Sequence, residues 1–210
     1  THERLIDLVK KARRRADTDT AVLLDTRGPE IRVCDLKADL ILEDGQELTI
    51  TADHATCSTT RIGVNYPEFP AQIREGHTVL LDDGKLALTV IRIEGGDVIT
   101  RVDAGGRLMS RKRVSLPDTA VNLPSLTAED IDDIIFGIAR TVDFIAASFV
   151  RSADDVWEVR RIIEEHGGRQ AIIAKIENRQ GIDNLDEILE AAEELMDARG
   201  VVGVEMPADE

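Results

Sequence analysis

Aromatic side chains are scarce in this 210-residue chain: one Trp, one Tyr and four Phe make up 3% of it. The core must then be built from Ile, Val, Leu and Ala, the composition of parallel sheets covered on both faces. Positive charge is also short. Lys and Arg number 26 against 41 Asp and Glu, a formal net charge of −15, so nucleic acid and anionic membranes are repelled unless a local basic patch intervenes. No apolar run approaches the length of a membrane span, and the opening residues carry a polar, charged helix pattern rather than a signal peptide. The two cysteines, Cys34 and Cys57, show no metal-ligand spacing; as ordinary thiols they fit a reducing, cytoplasmic setting. The chain opens on Thr1 rather than methionine, which reads as a processed or excised segment.

What is present fits a globular protein of one large domain or two modest ones: 42% of residues are apolar and 32% charged, too apolar for disorder. Residues 2–16 place Leu5, Leu8, Val9, Ala12 and Ala16 at helical spacing, and a short buried strand, Ala21–Leu24, ends at Asp25. From about Arg27 to Pro117 the texture changes to short β-type runs: Glu47–Ile50, Thr60–Val64, Thr78–Leu81, Leu86–Ile93 and Val98–Val102. Turn signals such as Asp82-Asp-Gly84 and Glu94-Gly-Gly-Asp97 separate them, and no helical period intervenes, so this stretch predicts a small all-β unit, a barrel or sandwich.

Beyond Pro117 helical and extended segments alternate. Thr127-Ala-Glu-Asp130 resembles a capping box with Asp in place of Glu, and Ile131, Ile134, Ile135 and Ile138 give a helix stripe. A strand over Val142–Phe149 follows, then a helix over Ser152–His166 with Val156, Val159 and Ile163 inward and Trp157 partly buried beside them. Next come a strand through Lys175, a helix marked by Ile182, Leu185, Ile188, Leu189 and Ala192, and a strand over Leu195–Ala198. The chain thus divides into residues 1–26, 27–117 and 118–210. Strands separated by single helices imply parallel pairing with right-handed crossovers. Four strands cannot close an eight-stranded barrel, so the α/β part is an open sheet or a piece of a larger barrel.

Ligands of parallel α/β folds bind beyond the carboxyl ends of the strands, and here those ends are polar or small. In Ala171-Ile-Ile-Ala-Lys-Ile-Glu-Asn178, residues two apart leave the same face of an extended chain, which sets Lys175 beside Glu177. Lys175 offers a compact cation for a phosphoryl or enolate oxygen, and Glu177 a hard oxygen ligand for magnesium. A solvated or mutually paired Lys and Glu at a strand end accounts for the same spacing. Asp25 and Thr26 suit a cation, or a turn or cap; Arg27 and Arg32 suit phosphate, or surface ion pairing. Ser110-Arg-Lys-Arg113 is a basic cluster, either a draw for nucleotide phosphate or a solvated turn. His2, His54, His77 and His166 share no motif and read as surface residues.

Seven words, in order, carry a resemblance: Leu23-Leu-Asp-Thr-Arg-Gly-Pro-Glu-Ile-Arg32, Asp82-Asp-Gly84, Ser110-Arg-Lys112, Asn122-Leu-Pro124, Ala147-Ser-Phe-Val-Arg151, Ala174-Lys-Ile-Glu-Asn178, and Ala198-Arg-Gly200 with Gly203-Val-Glu-Met-Pro207. Across nearly the whole chain they resemble the pyruvate kinase family. The resemblance implies part of a (β/α)8 TIM barrel with an inserted all-β barrel domain, in a cytoplasmic homo-oligomer, a tetramer. It implies phosphoryl transfer between phosphoenolpyruvate and ADP, giving pyruvate and ATP, with Mg2+ and K+. By matching position, Lys175 stabilises the transferring phosphoryl group and the enolate, Glu177 holds magnesium, and Asp25 and Thr26 help hold potassium. Arg32 and Lys112 lie toward the nucleotide phosphates, backbone amides around Gly200 and Val201 hold the substrate carboxylate, and the inserted domain acts as a lid.

Three departures qualify this. Val201 stands where the family has an aspartate, a second magnesium ligand. Asp197 cannot replace it, because four extended residues span about 13 Å, far beyond a coordination bond of roughly 2.1 Å; Asp197 moreover puts a charge inside a predicted buried strand. The family's Arg-x-Asn-x-Ser-His-Gly segment would precede Thr1, and its last barrel strands would follow Glu210, so the chain reads as an interior piece, inactive alone, with bare apolar helix faces. Met109 and Arg113 replace glycines, which puts the local backbone in question. The rivals are a catalytically degenerate relative that binds phosphoenolpyruvate or nucleotide without turnover, an aldolase-like lyase, and a purely structural module.

Overall fold

A computed structural model describes residues 1–52, 57–119 and 121–198, together with Gly203. The chain falls into two compact units. Among the described residues, one comprises Thr1–Pro29 and Leu123–Ala198, the other Glu30–Asn122 and Gly203.

In chain order the elements are α1 (His2–Ala16), β1 (Leu23–Asp25), β2 (Leu40–Leu42), β3 (Glu47–Thr51), β4 (Arg61–Gly63), α2 (Phe69–Gln72), β5 (Thr78–Leu81), β6 (Leu86–Glu94), β7 (Asp97–Ala104), β8 (Gly106–Leu108) and β9 (Val114–Ser115). They continue with α3 (Ala128–Ala139), β10 (Phe144–Ala147), α4 (Ala153–Glu165), β11 (Ala171–Ile176), α5 (Arg179–Asp183), α6 (Leu185–Ala191) and β12 (Glu194–Asp197).

The first unit is of the α/β class. Its sheet runs β1-β10-β11-β12, all pairs parallel, half the strand count of a closed eight-stranded barrel. Alternation sets the two faces. Ile145, Ala147, Ile172, Ala174 and Ile176 point into one core with Ile134, Val156, Val159, Ile162, Ile163 and Ile188 from the helices. Asp25, Ala146 and Ile173 are register partners on the opposite face. One step further along that face, the register brings Ser148 level with Lys175.

Helix α3 starts at a complete capping box. Thr127 accepts from the Asp130 amide while Asp130 accepts from the Thr127 amide, which satisfies two of the donors that every helix N-terminus leaves open. Helix α4 buries Val156, Val159 and Ile163 as its stripe requires; Trp157, expected to be partly buried, lies 52% exposed on its outer side. The single helix expected around Ile188 is two, α5 and α6, joined at Asn184 in a non-helical conformation. Ile182, Leu185, Ile188 and Ala192 still pack on the core, while Leu189 is exposed.

Two further expectations change. Asp197 is exposed, not buried, because β12 is an edge strand paired only with β11. On α1, Leu5 (59% exposed) and Leu8 (50%) face outward, while Ile6 packs on the core. Leu5, Ile6, Leu23 and Phe136 line a groove of about 600 Å³ between α1, β1 and α3.

The second unit is β-rich, with one short helix, α2. Its six-stranded sheet has the order β4-β3-β7-β6-β5-β9, and β2 pairs with β8 separately. The long β6–β7 hairpin turns at Gly95 and Gly96, with φ of 58° and 91°, the left-handed pair that a tight hairpin twist demands. Alternate residues Leu86, Leu88 and Val90 of β6 and Val98, Thr100 and Val102 of β7 are buried with Leu48, Ile50, Ile62, Phe69, Val79 and Leu81. The strands β2, β8 and β9 carry too few residues for a periodicity to show.

Candidate active site

Three strand ends of the α/β unit meet at Lys175. Its Nζ lies 3.0 Å from Asp25 Oδ1, 2.8 Å from Ser148 Oγ and 3.5 Å from Glu177 Oε1. The side chain is only 12% exposed, so the ammonium is desolvated and held by oxygen on three sides. The spacing argument for Lys175 and Glu177 therefore holds: both leave the same face. Glu177 is buried, and its second oxygen accepts the Phe149 amide at 2.9 Å. Phe149 takes φ 58° to aim that amide, an uncommon conformation for a bulky residue.

Ser148 is the residue that sequence reasoning passed over, although it lies within the quoted Ala147–Arg151 word. Its hydroxyl donates to the Thr26 carbonyl at 2.7 Å and accepts from Lys175, and its amide donates to Thr26 Oγ1 at 3.1 Å. Only the register of β1, β10 and β11 discloses this role.

Thr26 is buried with its hydroxyl committed, donating to the Ala146 carbonyl and accepting from Ser148. Its carbonyl oxygen keeps acceptor capacity for a cation, since a carbonyl has two lone pairs and Ser148 uses one. The half-exposed Asp25 carboxylate is the other oxygen donor there. Arg27 pairs with Glu129 at 2.8 Å, both well exposed.

The loop after β1 fits closely. Gly28 has φ 72°, and a Cβ on it would lie 2.6 Å from Phe149 Cδ2 and 2.9 Å from Ser148 Cβ. Only glycine allows this approach.

In the β-rich unit, Lys112 Nζ lies 2.7 Å and Lys85 Nζ 3.2 Å from the two oxygens of Asp82. Asp82 is buried in a left-handed run, with φ of 51°, 56° and 78° at Asp82, Asp83 and Gly84. The Lys112 ammonium beside it is the main reason its carboxyl sits below the usual carboxylate range. Arg32 pairs with Glu30 and donates to the Arg111 carbonyl at 2.8 Å. Here the left-handed residue is Arg111, φ 61°, while neither Met109 nor Arg113 adopts positive φ; the two glycine replacements therefore cost no backbone strain.

Gly200 and Val201 lie outside the described residues, as does His54. His2 and His166 are exposed, and His77 is half-buried beside the Thr119 hydroxyl. No disulfide joins Cys34 and Cys57. Among the described residues no group of three or more His, Cys, Asp or Glu could hold a metal ion, and no helix is long and apolar enough to cross a membrane. Glu177 still fits a magnesium ion that takes most of its ligands from substrate and water, because one carboxylate oxygen faces the site.

A desolvated ammonium flanked by two carboxylates beyond the carboxyl ends of parallel strands is chemically suited to offset charge on an oxyanion. The family description "Pyruvate kinase, barrel domain" matches residues 1–210. Among curated proteins, the pyruvate kinase of Geobacillus stearothermophilus is 45% identical over 100% of this chain and 36% of its own length. That of Clostridium perfringens is 39% identical over 100% of this chain and 45% of its own. That of Staphylococcus saprophyticus is 43% identical over 99% of this chain and 36% of its own. The chain belongs to the pyruvate kinase family, and it spans less than half the length of these relatives.

Proposed function

We propose that the protein carrying this chain transfers a phosphoryl group from phosphoenolpyruvate to ADP, giving pyruvate and ATP, and that Lys175 is its central cation. The observation that supports this most is the Lys175 ammonium, fixed by Asp25, Ser148 and Glu177 on the face where strand ends present ligands. In a site with little water, a fixed ammonium stabilises charge on a transferring phosphoryl group far better than a mobile one in solvent. As the bond from the enol oxygen to phosphorus breaks, the electron pair stays on that oxygen; Lys175 offsets the charge until the enolate takes a proton on carbon.

Glu177 and the Asp25–Thr26 oxygens are the groups proposed to hold magnesium and potassium, which when bound neutralise phosphate and carboxylate charge. Glu177 is pre-oriented by the Phe149 amide and needs no rearrangement to present an oxygen. Arg32 and Lys112 are proposed for the nucleotide phosphates, and the backbone around Gly200 and Val201 for the substrate carboxylate. The pyruvate kinase names of the relatives support this reading, as does the family match. A cytoplasmic homo-oligomer is part of the same proposal.

The test is pyruvate formation by the full-length chain from phosphoenolpyruvate and ADP with magnesium and potassium. Turnover is expected there and not from the 210-residue segment alone. A full-length protein that binds phosphoenolpyruvate and forms no pyruvate would replace this reading with a degenerate binder.

A further inference from the structure

Asp130 is a fully buried carboxylate in the first turn of α3 that takes no part in the chemistry above. Its Oδ2 serves the helix, accepting the Thr127 amide at 2.9 Å and the Thr127 hydroxyl at 2.6 Å. Its Oδ1 does something the cap does not require. It accepts the amides of Arg27 and Gly28, each at 3.0 Å, from across more than a hundred residues of sequence. A buried carboxylate holding four hydrogen bonds is fully satisfied and directionally rigid.

Those two amides belong to the residues directly after Asp25 and Thr26. The loop is closed on its other side by Ser148, whose hydroxyl and amide both bind Thr26, and by Gly28, which packs without a Cβ against Ser148 and Phe149. The Asp25 carboxylate that touches Lys175 is thus suspended between two anchors. One is Ser148, itself a Lys175 ligand. The other is Asp130.

We infer that Asp130 is a positioning residue for the active site, fixing the Asp25–Gly28 loop so that Asp25 and the Thr26 carbonyl stand at their distances from Lys175. This also explains why the cap carries Asp where a capping box ordinarily has Glu: the shorter arm serves Thr127 with one oxygen and leaves the other turned to the loop. The inference rests on the proposed role of Lys175, but its first readout does not depend on activity.

That readout is hydrogen exchange at the Arg27 and Gly28 amides in the full-length chain, compared across three variants. Thr127→Val removes the hydroxyl cap and leaves the carboxylate; stability falls, the two amides stay protected, and kcat stays within about twofold. Asp130→Asn leaves a single oxygen for the two sets of donors, Thr127 and the loop amides, and turns an NH2 group toward one of them; protection at Arg27 and Gly28 drops by about tenfold or more, and kcat drops by about tenfold or more with KM for ADP unchanged. Asp130→Glu restores the ordinary cap and pushes the carboxylate off the loop, so it keeps the helix and loses kcat, and it stands in if the Asn variant does not fold. Retained protection in both Asp130 variants, or a kcat loss no larger than that of Thr127→Val, overturns the inference. If the unsubstituted full-length protein forms no pyruvate, the proposed function fails, while the exchange comparison still decides whether Asp130 anchors the loop.

Discussion

The two units treat their cations in opposite ways. In the α/β unit, Lys175 is surrounded by groups from three different strands, so its place is set by sheet register. In the β-rich unit, each proposed nucleotide cation has one carboxylate partner: Lys112 the buried Asp82, Arg32 the nearby Glu30. The first arrangement is rigid because moving the lysine means moving strands. The second has side-chain freedom, since Lys112 and Arg32 are 29% and 48% exposed against 12% for Lys175. A parallel sheet supplies preorganisation where charge develops, and a local ion pair supplies a cation that can change partners when an anion arrives.

The sharpest way to break that contrast is to remove its centre. Lys175→Met in the full-length chain is expected to lower kcat by about a hundredfold or more, the order seen when a transition-state donor is lost, with circular dichroism unchanged; a loss under tenfold would take Lys175 out of the chemistry. Next in size, Glu177→Gln keeps an acceptor for the Phe149 amide and removes the charge. The magnesium concentration for half-maximal rate is expected to rise by about tenfold, read by titrating initial rates; an unchanged magnesium curve would free Glu177 from the metal.

In the β-rich unit, Lys112→Ala is expected to raise KM for ADP by about tenfold, the worth of one charge-assisted hydrogen bond, and to leave KM for phosphoenolpyruvate alone. If both constants moved together, the division of labour between the units would be wrong.

A smaller effect concerns acid stability. The Asp82 carboxyl is held below the ordinary range chiefly by the Lys112 ammonium paired with it. Asp143 is also lowered: burial raises it, but the Val22 amide and Arg13 outweigh burial. A group of this kind binds fewer protons folded than unfolded near pH 4, so it stabilises the fold fully above its unfolded pKa of about 3.9 and loses that contribution as pH falls through the lower folded value. Asp82→Asn and Asp143→Asn are therefore expected to flatten the fall in stability below pH 4, seen in chemical denaturation at stepped pH; an unaltered slope would show that these pairs do not form in solution. Smallest of all, Trp157→Ala should change stability by about 0.5 kcal/mol at most, as for surface substitutions, and a larger loss would mean that its exposed face is covered.

Much of the fold was legible because periodicity is local. The stripes at Ile131–Ile138 and Val156–Ile163 and the hairpin turn at Gly95-Gly96 each follow from neighbours within a few residues. Lys175 beside Glu177 was legible for the same reason, since a two-residue repeat fixes a face before any partner strand is known. Where a local signal was interrupted, the reading slipped: the break at Asn184 makes two helices of one expected, and β2, β8 and β9 were too short to show an alternation.

Sequence by itself determined the class, the alternation of helices and strands beyond Pro117 and the pair of charges at one strand end, because these depend on steric periods and on residue type. Only the tertiary structure decided that Asp25 meets Lys175, that Ser148 joins them, that Asp130 reaches Arg27 and Gly28, and that Asp197 faces solvent. Each of these turns on which strand lies beside which, and in what register. A contact between residues more than a hundred positions apart has no local signature; it exists only after burial of the shared core has aligned the strands.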